Sequence, residues 1–234
     1  MITKLARLPL QYEPGTTWDY SMSIDVLVRI VEVVSGTPMD RFATERIFKP
    51  LRMVDTNYWV EPAKHGRIAE AQIISATGKR PPFPAITNEP RWIQGGAGLA
   101  STAADYARFC QMLLNGGTLD GARIVSPATV DAMRADHLVP GTALSPVGLG
   151  LGAMAPSVEN GQGFGLGFLV RTSEGSNKLP GSVGEYSWAG IYGTYFWIDP
   201  KERMVVVLMA QVPTVPGREL RSLLRNQVYQ ALKR

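Results

Sequence analysis

Residues that build disulfide frameworks and metal sites are scarce in this sequence, which has one cysteine and two histidines among 234 residues. The single cysteine, Cys110, excludes an internal disulfide, and its apolar neighbours in "DYARFCQMLL" predict a buried, inert thiol. His65 and His137 are far apart in the sequence and give a metal site little support. We therefore expect neither a metal nor any other cofactor.

Long apolar runs are missing too. No run reaches the ~18 residues that a membrane-spanning helix needs. The first ten residues, "MITKLARLPL", are too short and too polar for a signal peptide. We therefore expect a soluble, cytoplasmic chain with no membrane partner.

Charge is not concentrated anywhere in the chain. The net charge is +4, but the lysines and arginines are scattered, and only the tail "RELRSLLRNQVYQALKR" is mildly basic. A solvated helix face explains that tail better than a nucleic-acid surface does, so no nucleic-acid partner is expected. A content of 45% hydrophobic and 19% charged residues is typical of a globular protein, and the length suits one domain.

Apolar periodicity outlines the secondary structure. Residues 23–35 have apolar side chains three and four apart, and Gly36 follows where a left-handed helix cap belongs, so Tyr20 stands at or just before a helix start. Loops are predicted over 61–98 and 139–163, and the length of the second places it near a site. Further helices are predicted over 39–48, 101–116, 126–137 and 217–232, and strands over 57–60, 69–74, 163–170, 184–190, 192–199 and 203–212.

The order of these elements predicts the fold class. Helices come first, then a run of antiparallel strands, then a terminal helix, without the alternation of strand and helix found in doubly wound sheets. This order predicts an α+β fold in which helices flank an antiparallel sheet. Common hydrolase and nucleotide signatures are missing: the chain has no G-x-S-x-G, no H-E-x-x-H and no G-x-x-x-x-G-K-[ST].

Four blocks follow one another along the chain: "PGTTWDYSMSIDVLVRIVEVVSGTPMDRF", "IFKPLRMVDTNYW", "GGAGLASTAADYARFCQMLLNGG" and "SWAGIYGTYFWIDPKERMVVVLMAQ". In this order they resemble the serine β-lactamase-like hydrolases, most of all the family VIII carboxylesterases related to class C β-lactamases. The resemblance spans nearly the whole chain and implies a β-lactamase/transpeptidase-like fold. It also implies an acyl-enzyme mechanism on a small-molecule ester or β-lactam.

The resemblance assigns the family's Tyr-x-Asn motif to Tyr20, Ser21 and Met22, with the tyrosine as proton acceptor and donor. A phenol ordinarily titrates near ~10 and needs nearby positive charge to act as a base at neutral pH. A helix N-terminus offers about half a positive charge, and the lysine of another family motif, S-x-x-K, would add more. Met22 replaces the asparagine that would bind an amide substrate, which favours esters.

The resemblance assigns the third motif, a Lys/His-Thr-Gly strand that is often Trp-x-Gly in the esterases, to Trp188, Ala189 and Gly190. Trp188 replaces a cation that would bind a carboxylate, which again favours esters over β-lactams. Gly190 would let the backbone approach the acyl group. By the same resemblance, the amide of Ile191 would be one oxyanion-hole donor, and the amide of the nucleophile would be the other.

The nucleophile itself is not in this sequence. No serine has a lysine three residues later, since "SATGK" has one residue too many between them and "SNK" one too few. In the family this motif lies well upstream of the tyrosine. We therefore expect residues 1–234 to form a single partial domain without the N-terminal S-x-x-K region, inactive alone and prone to self-association through an exposed apolar face.

Two rival functions stay open. One is a β-lactamase or D-Ala-D-Ala peptidase, against which Met22 and Trp188 both argue. The other is a non-catalytic relative that uses the cleft to bind a ligand or a partner, for which a missing nucleophile is the expected feature.

Overall fold

The computed structural model describes residues 2–71, 73, 78–79, 86–212 and 215–232, with side chains in the last segment from 219 onward. The α-helices are α1 (Ile2–Leu5), α2 (Ser23–Ser35), α3 (Met39–Ala43), α4 (Ala103–Leu114), α5 (Pro127–Met133), α6 (Pro146–Gly150) and α7 (Val215–Ala231). Helix α3 continues as a π-helical turn, Thr44–Phe48, and two 3-10 helices span Pro62–Arg67 and Gly152–Met154. The strands are β1 (Thr17–Trp18), β2 (Thr118–Leu119), β3 (Ala122–Arg123), β4 (Ala143–Leu144), β5 (Gln162–Phe164), β6 (Leu169–Arg171), β7 (Tyr186–Ala189), β8 (Tyr195–Asp199) and β9 (Met204–Leu208).

The centre of the molecule is a five-stranded antiparallel sheet in the order β5-β6-β7-β8-β9. Strand β8 is buried along its whole length, and its side chains alternate between two apolar clusters. Phe196 and Ile198 belong to the cluster that includes α4, and Tyr195 and Trp197 to the one that includes α7. Helices therefore cover both faces of an antiparallel sheet, which confirms the α+β prediction.

The cluster on the α4 side contains Cys110, which is fully buried. Burial raises the pKa of its thiol to about 12, so the thiolate is rare at neutral pH and the predicted inert cysteine agrees with the structure. Two caps expected from the sequence are present as well, one at Ser101 or Thr102 before the helix and one at Gly36. The Thr102 hydroxyl accepts a hydrogen bond from the Asp105 amide at 3.2 Å, and Gly36 ends α2 with a φ of 67°.

Three predicted strands were wrong in whole or in part. At 57–60, Asn57 makes only an isolated bridge to Ala100. In the strand expected over 69–74, residues 72 and 74 lie outside the described residues, and the remainder is not in a strand. The single strand expected over 163–170 is instead the hairpin β5–β6. Its turn includes Gly167 at a φ of 93°, a conformation that favours glycine.

The segment 139–163, predicted to be a loop, is partly ordered. Strand β4 pairs in parallel with β1, so that Thr17 is opposite Ala143, and α6 follows at once. Ser145 caps α6 by accepting a hydrogen bond from the Gly148 amide at 2.9 Å. The long segment therefore lies against the residues that precede Tyr20.

The basic C-terminal tail was also predicted incorrectly in one respect, because α7 is not only a solvated face. Arg225 is 3% exposed and lies in a buried ionic network. Helix α2, in contrast, leaves apolar side chains in solvent: Leu27, Ile30 and Val34 are all at least half exposed. The expected self-association through such a surface stays a prediction. Of the helices in the described part of the chain, none is long and apolar enough to cross a membrane.

Candidate functional site

Tyr20 lies three residues before the first residue of α2, in the position that the sequence predicted. Met22 occupies the cap position of the helix without forming a side-chain cap. The hydroxyl oxygens of Ser21 and Ser23 lie 2.9 Å apart. The Tyr20 side chain is 45% exposed, and its hydroxyl forms no hydrogen bond to another residue in the described ranges. It is therefore accessible to a ligand.

Contacts before and after Tyr20 fix its backbone. On the N-terminal side, the Ser145 amide donates to the Trp18 carbonyl at 3.0 Å, and the Ser145 hydroxyl donates to the Asp19 carboxylate. On the C-terminal side, Asp25 in the first turn of α2 accepts a hydrogen bond from the Gly95 amide at 3.0 Å. These bonds hold the tyrosine between two chain segments that are remote in sequence.

Gly95 has to be glycine at this contact. A β-carbon there would collide with the carbonyl of Ile24 and lie 2.8 Å from the side chain of Val28. Backbone can therefore approach the first turn of α2 only where a side chain is missing. This contact gives the "GGAG" sequence a structural role that its composition alone did not indicate.

We predict that Ser145→Ala loosens the Tyr20 segment. The hydroxyl is buried and has two partners, so its loss should reduce the free energy of unfolding by about 2–3 kcal/mol. Ser126→Ala is the matched control. Ser126 also caps a helix, because its hydroxyl accepts a hydrogen bond from the Thr129 amide at 3.1 Å, but Ser126 is exposed. Its substitution should reduce the free energy of unfolding by about 1 kcal/mol. Urea unfolding measures both, and equal losses would mean that the bond to Asp19 contributes nothing.

Three aromatic rings form a wall beside Tyr20. The Tyr20 and Trp188 rings have centroids 5.9 Å apart at an angle of 40°. Trp18 stacks on Tyr20 at 6.5 Å. Phe164 contacts Trp18 at 5.1 Å and Trp188 at 5.4 Å, both edge to face. The structure thus brings together the two predicted motifs and adds Trp18 and Phe164, which motif reasoning did not select.

Phe164 is held from outside the sheet. Its amide donates to the Asp136 carboxylate at 3.0 Å, and its carbonyl accepts from the His137 amide at 2.9 Å. The segment after α5 therefore fixes the ring that touches both tryptophans. A signal for Trp18 existed in the sequence, because it lies two residues before Tyr20 in the same block, whereas the Phe164 contact needs the folded sheet.

The predicted oxyanion turn follows β7. The Gly190 amide donates to the Thr194 carbonyl at 2.9 Å, and the Gly190 carbonyl accepts from the Gly193 amide at 3.2 Å. A β-carbon on Gly190 would collide with the Thr194 hydroxyl. The Ile191 side chain is 78% exposed, and its amide donates to no other residue of the described chain. That amide can therefore bind a ligand oxygen.

A buried ionic network lies behind this strand. The Glu185 carboxylate pairs with Arg171, N to O 3.0 Å, and with Arg225, and it accepts a hydrogen bond from Tyr229 at 3.2 Å. Tyr229 also donates to Asp199 at 2.6 Å. Burial and the bond to Asp199 raise the pKa of Tyr229 above its usual range.

A cavity of about 90 Å³ lies elsewhere in the molecule. It is lined in part by Leu113 and Arg134, and it includes none of the predicted site residues.

A helix-flanked antiparallel sheet, with a tyrosine before a helix that contacts a tryptophan of a Trp-x-Gly strand, is the arrangement of a β-lactamase/transpeptidase-like fold. Within that class, the chain belongs to the Beta-lactamase family, whose family model matches residues 1–230. The resemblance inferred from the sequence blocks is thereby confirmed.

Known proteins of this family are longer than the chain. Protein Rv1367c of Mycobacterium tuberculosis is 34% identical over 219 residues, covering 90% of this chain and 52% of that protein. A lovastatin esterase of Penicillium rubens is 27% identical over an alignment that covers 98% of this chain and 60% of that protein. The solved structure of EstCE1, a hydrolase with promiscuous acyltransferase activity, has a TM-score of 0.77 at 24% identity. The superposition covers 96% of this chain and 59% of EstCE1. The chain therefore spans half to three fifths of the length of these relatives.

Proposed function

We propose that this chain is the part of a carboxylesterase-type serine hydrolase that supplies the proton-transferring tyrosine and one oxyanion-hole donor. The observation that carries the proposal is the contact between Tyr20 and Trp188, 5.9 Å between ring centroids. It combines the base position of the family with a tryptophan where a carboxylate-binding cation would stand. Small esters that lack such a carboxylate are the substrates that fit this pair.

The residues around the pair support esters. Met22 is 44% exposed and offers a thioether instead of an amide that could hydrogen-bond a β-lactam or peptide group. The aromatic wall formed with Trp18 and Phe164 is apolar, and apolar lining suits an uncharged ester. The relative named as a lovastatin esterase supports the same substrate class.

Each residue has a separate role in the proposed reaction. Tyr20 accepts the proton of a serine hydroxyl while the serine oxygen attacks the carbonyl carbon of the ester. The Ile191 amide stabilises the oxyanion that forms. Collapse of this intermediate breaks the bond to the alcohol, which takes the proton from Tyr20. Water then attacks the acyl-enzyme and gives its proton to Tyr20. When the bond to the serine breaks, the serine oxygen takes this proton and the acid is released. The attacking serine has to come from an S-x-x-K segment outside these 234 residues.

Two measurements test this proposal. The 234-residue chain should show no stoichiometric labelling by a fluorophosphonate, and a single labelled serine would refute the account of the nucleophile. The coding DNA upstream of Met1 should contain an in-frame S-x-x-K. The polypeptide that includes it should then hydrolyse p-nitrophenyl butyrate with a kcat/KM at least about 100-fold above that for nitrocefin. A faster reaction with nitrocefin would identify a β-lactamase, and turnover of neither would favour a non-catalytic relative.

A further inference from the structure

Two arginines on one face of α7 contact the sheet, and Arg221 reaches the turn between β7 and β8. Arg221 and Arg225 are four residues apart and therefore lie on the same side. Arg225 donates to the Tyr195 hydroxyl at 2.9 Å and to the Pro180 carbonyl at 2.6 Å. Arg221 donates to the Gly190 carbonyl, and its guanidinium carbon lies 6.0 Å from the centroid of the Tyr195 ring.

The carbonyl that Arg221 binds belongs to the same peptide unit as the Ile191 amide. A trans peptide is planar, so its C=O and N–H point in opposite directions. Whatever fixes the direction of the Gly190 carbonyl therefore also fixes the direction of the Ile191 N–H. The turn offers one other donor to this carbonyl, the Gly193 amide at 3.2 Å, which is at the long end of hydrogen-bond distances.

We propose that Arg221 is a positioning residue for the Ile191 amide. This assignment rests on the proposed function, in which that amide binds the oxyanion. The guanidinium acts in two ways. It holds the peptide plane at an angle set by its planar donors and by the Tyr195 ring. It also withdraws electron density from the carbonyl, which leaves the N–H across the peptide more positive and a stronger donor.

The other hydrogen bonds of the turn act mainly on neighbouring peptides: the Gly190 amide donates to the Thr194 carbonyl at 2.9 Å, and the Tyr192 carbonyl accepts from the Val212 amide at 2.9 Å. The turn begins at Gly190 and includes Gly193 at a φ of 98°, and glycines leave a backbone free to change conformation. The exposed Ile191 side chain adds no buried packing. The charged donor on α7 therefore adds, from outside the turn, a direct constraint on the peptide that carries the proposed oxyanion donor.

The test uses the 234-residue chain labelled with ¹⁵N-isoleucine, so that it requires neither a nucleophile nor a substrate. The Ile191 amide, assigned by Ile191→Val, should have an order parameter near about 0.85 in the wild type and below about 0.6 in Arg221→Met. The amide of Ile198, buried in β8, is the internal reference and should not change. An ordered Ile191 amide in Arg221→Met would overturn the proposal, and so would an equal fall at both amides.

Arg108→Met is the matched control. Arg108 also uses its guanidinium to hold a backbone carbonyl, that of Leu51, and pairs with Asp120. Its loss should leave the Ile191 order parameter unchanged, and a fall there would overturn the assignment to Arg221. If Arg221→Met does not fold, Arg221→Gln replaces it with the same expected results.

The outcome can be separated from that of the proposed function. In the polypeptide that carries the S-x-x-K segment, Arg221→Met should lower kcat about 10- to 100-fold, with KM changed less than about threefold. A changed Ile191 order parameter with unchanged kcat would refute the oxyanion role of Ile191 and leave its positioning by Arg221 intact.

Discussion

Glu185→Ala should reduce the free energy of unfolding by about 3–5 kcal/mol. The carboxylate is 7% exposed, and its partners Arg171 and Arg225 are 5% and 3% exposed. Removing it leaves two buried cations without their shared anion. Burial by itself lowers the pKa of Arg225, but Tyr195, Glu185 and Tyr229 outweigh this effect, and the net shift is upward. Arg225 therefore stays charged when Glu185 is removed, and its buried charge loses one of the groups that stabilise it.

Urea unfolding of the 234-residue chain checks this prediction. Domains of this kind have total stabilities of about 5–15 kcal/mol, so the variant should unfold at a far lower urea concentration. Glu45→Ala is the control, since Glu45 is exposed on the π-helical turn and its removal should change stability by less than about 0.5 kcal/mol. A loss below about 1 kcal/mol for Glu185→Ala would show that water replaces the carboxylate.

A second variant separates charge from hydrogen bonding. Glu185→Gln keeps the shape and can still accept a hydrogen bond from Tyr229, but it removes the negative charge between Arg171 and Arg225. A loss close to that of Glu185→Ala is expected, because the uncompensated cations dominate the cost. Recovery of most of the stability by glutamine would contradict that view.

Elements with local signals were predicted from the sequence. The period of apolar residues in α2 and the glycine after it define that helix, as the cap at Thr102 defines α4. The strands β8 and β9 were recognised because both are apolar and a tight turn joins them. Each of these signals lies within the element that it defines or at its end, and it depends on local preferences that do not need the rest of the fold.

Other elements depend on contacts across the chain. Ser145 binds Asp19 over a separation of 126 residues, and no periodicity in residues 139–163 indicates that β4 pairs with β1. The alternation of glycine and apolar residues in 163–170 fits one strand as well as a hairpin, because both show a period of two. Only the pairing of Gly163 with Val170 distinguishes them.

The candidate site shows the same division. Tyr20 and Trp188 were selected through the family resemblance, and the structure places their rings in contact. Arg221 was assigned to a solvated face, since a basic residue on an amphipathic helix usually lies in water. Its bond to the Gly190 carbonyl depends on how α7 packs against the sheet. The residues that orient a site are therefore harder to predict than those that perform its chemistry.

Tyr20→Phe should abolish most turnover in the polypeptide that includes the S-x-x-K segment. Loss of a general base or acid typically lowers kcat by about 100- to 10,000-fold. Phenylalanine keeps the ring that contacts Trp18 and Trp188 and removes only the hydroxyl. KM should therefore change little, since the apolar wall that binds the ester is preserved.

The same substitution should leave folding intact, because the Tyr20 hydroxyl binds no other residue of the described chain. The free energy of unfolding should therefore change by less than about 0.5 kcal/mol. Tyr12→Phe is the control, which removes a hydroxyl that accepts a hydrogen bond from Gln11 at 3.2 Å and should retain full turnover. Steady-state kinetics with p-nitrophenyl butyrate and urea unfolding together separate a catalytic from a structural role. Unchanged turnover in Tyr20→Phe would remove the tyrosine from the mechanism, and Trp188 would then be only the wall of a binding site.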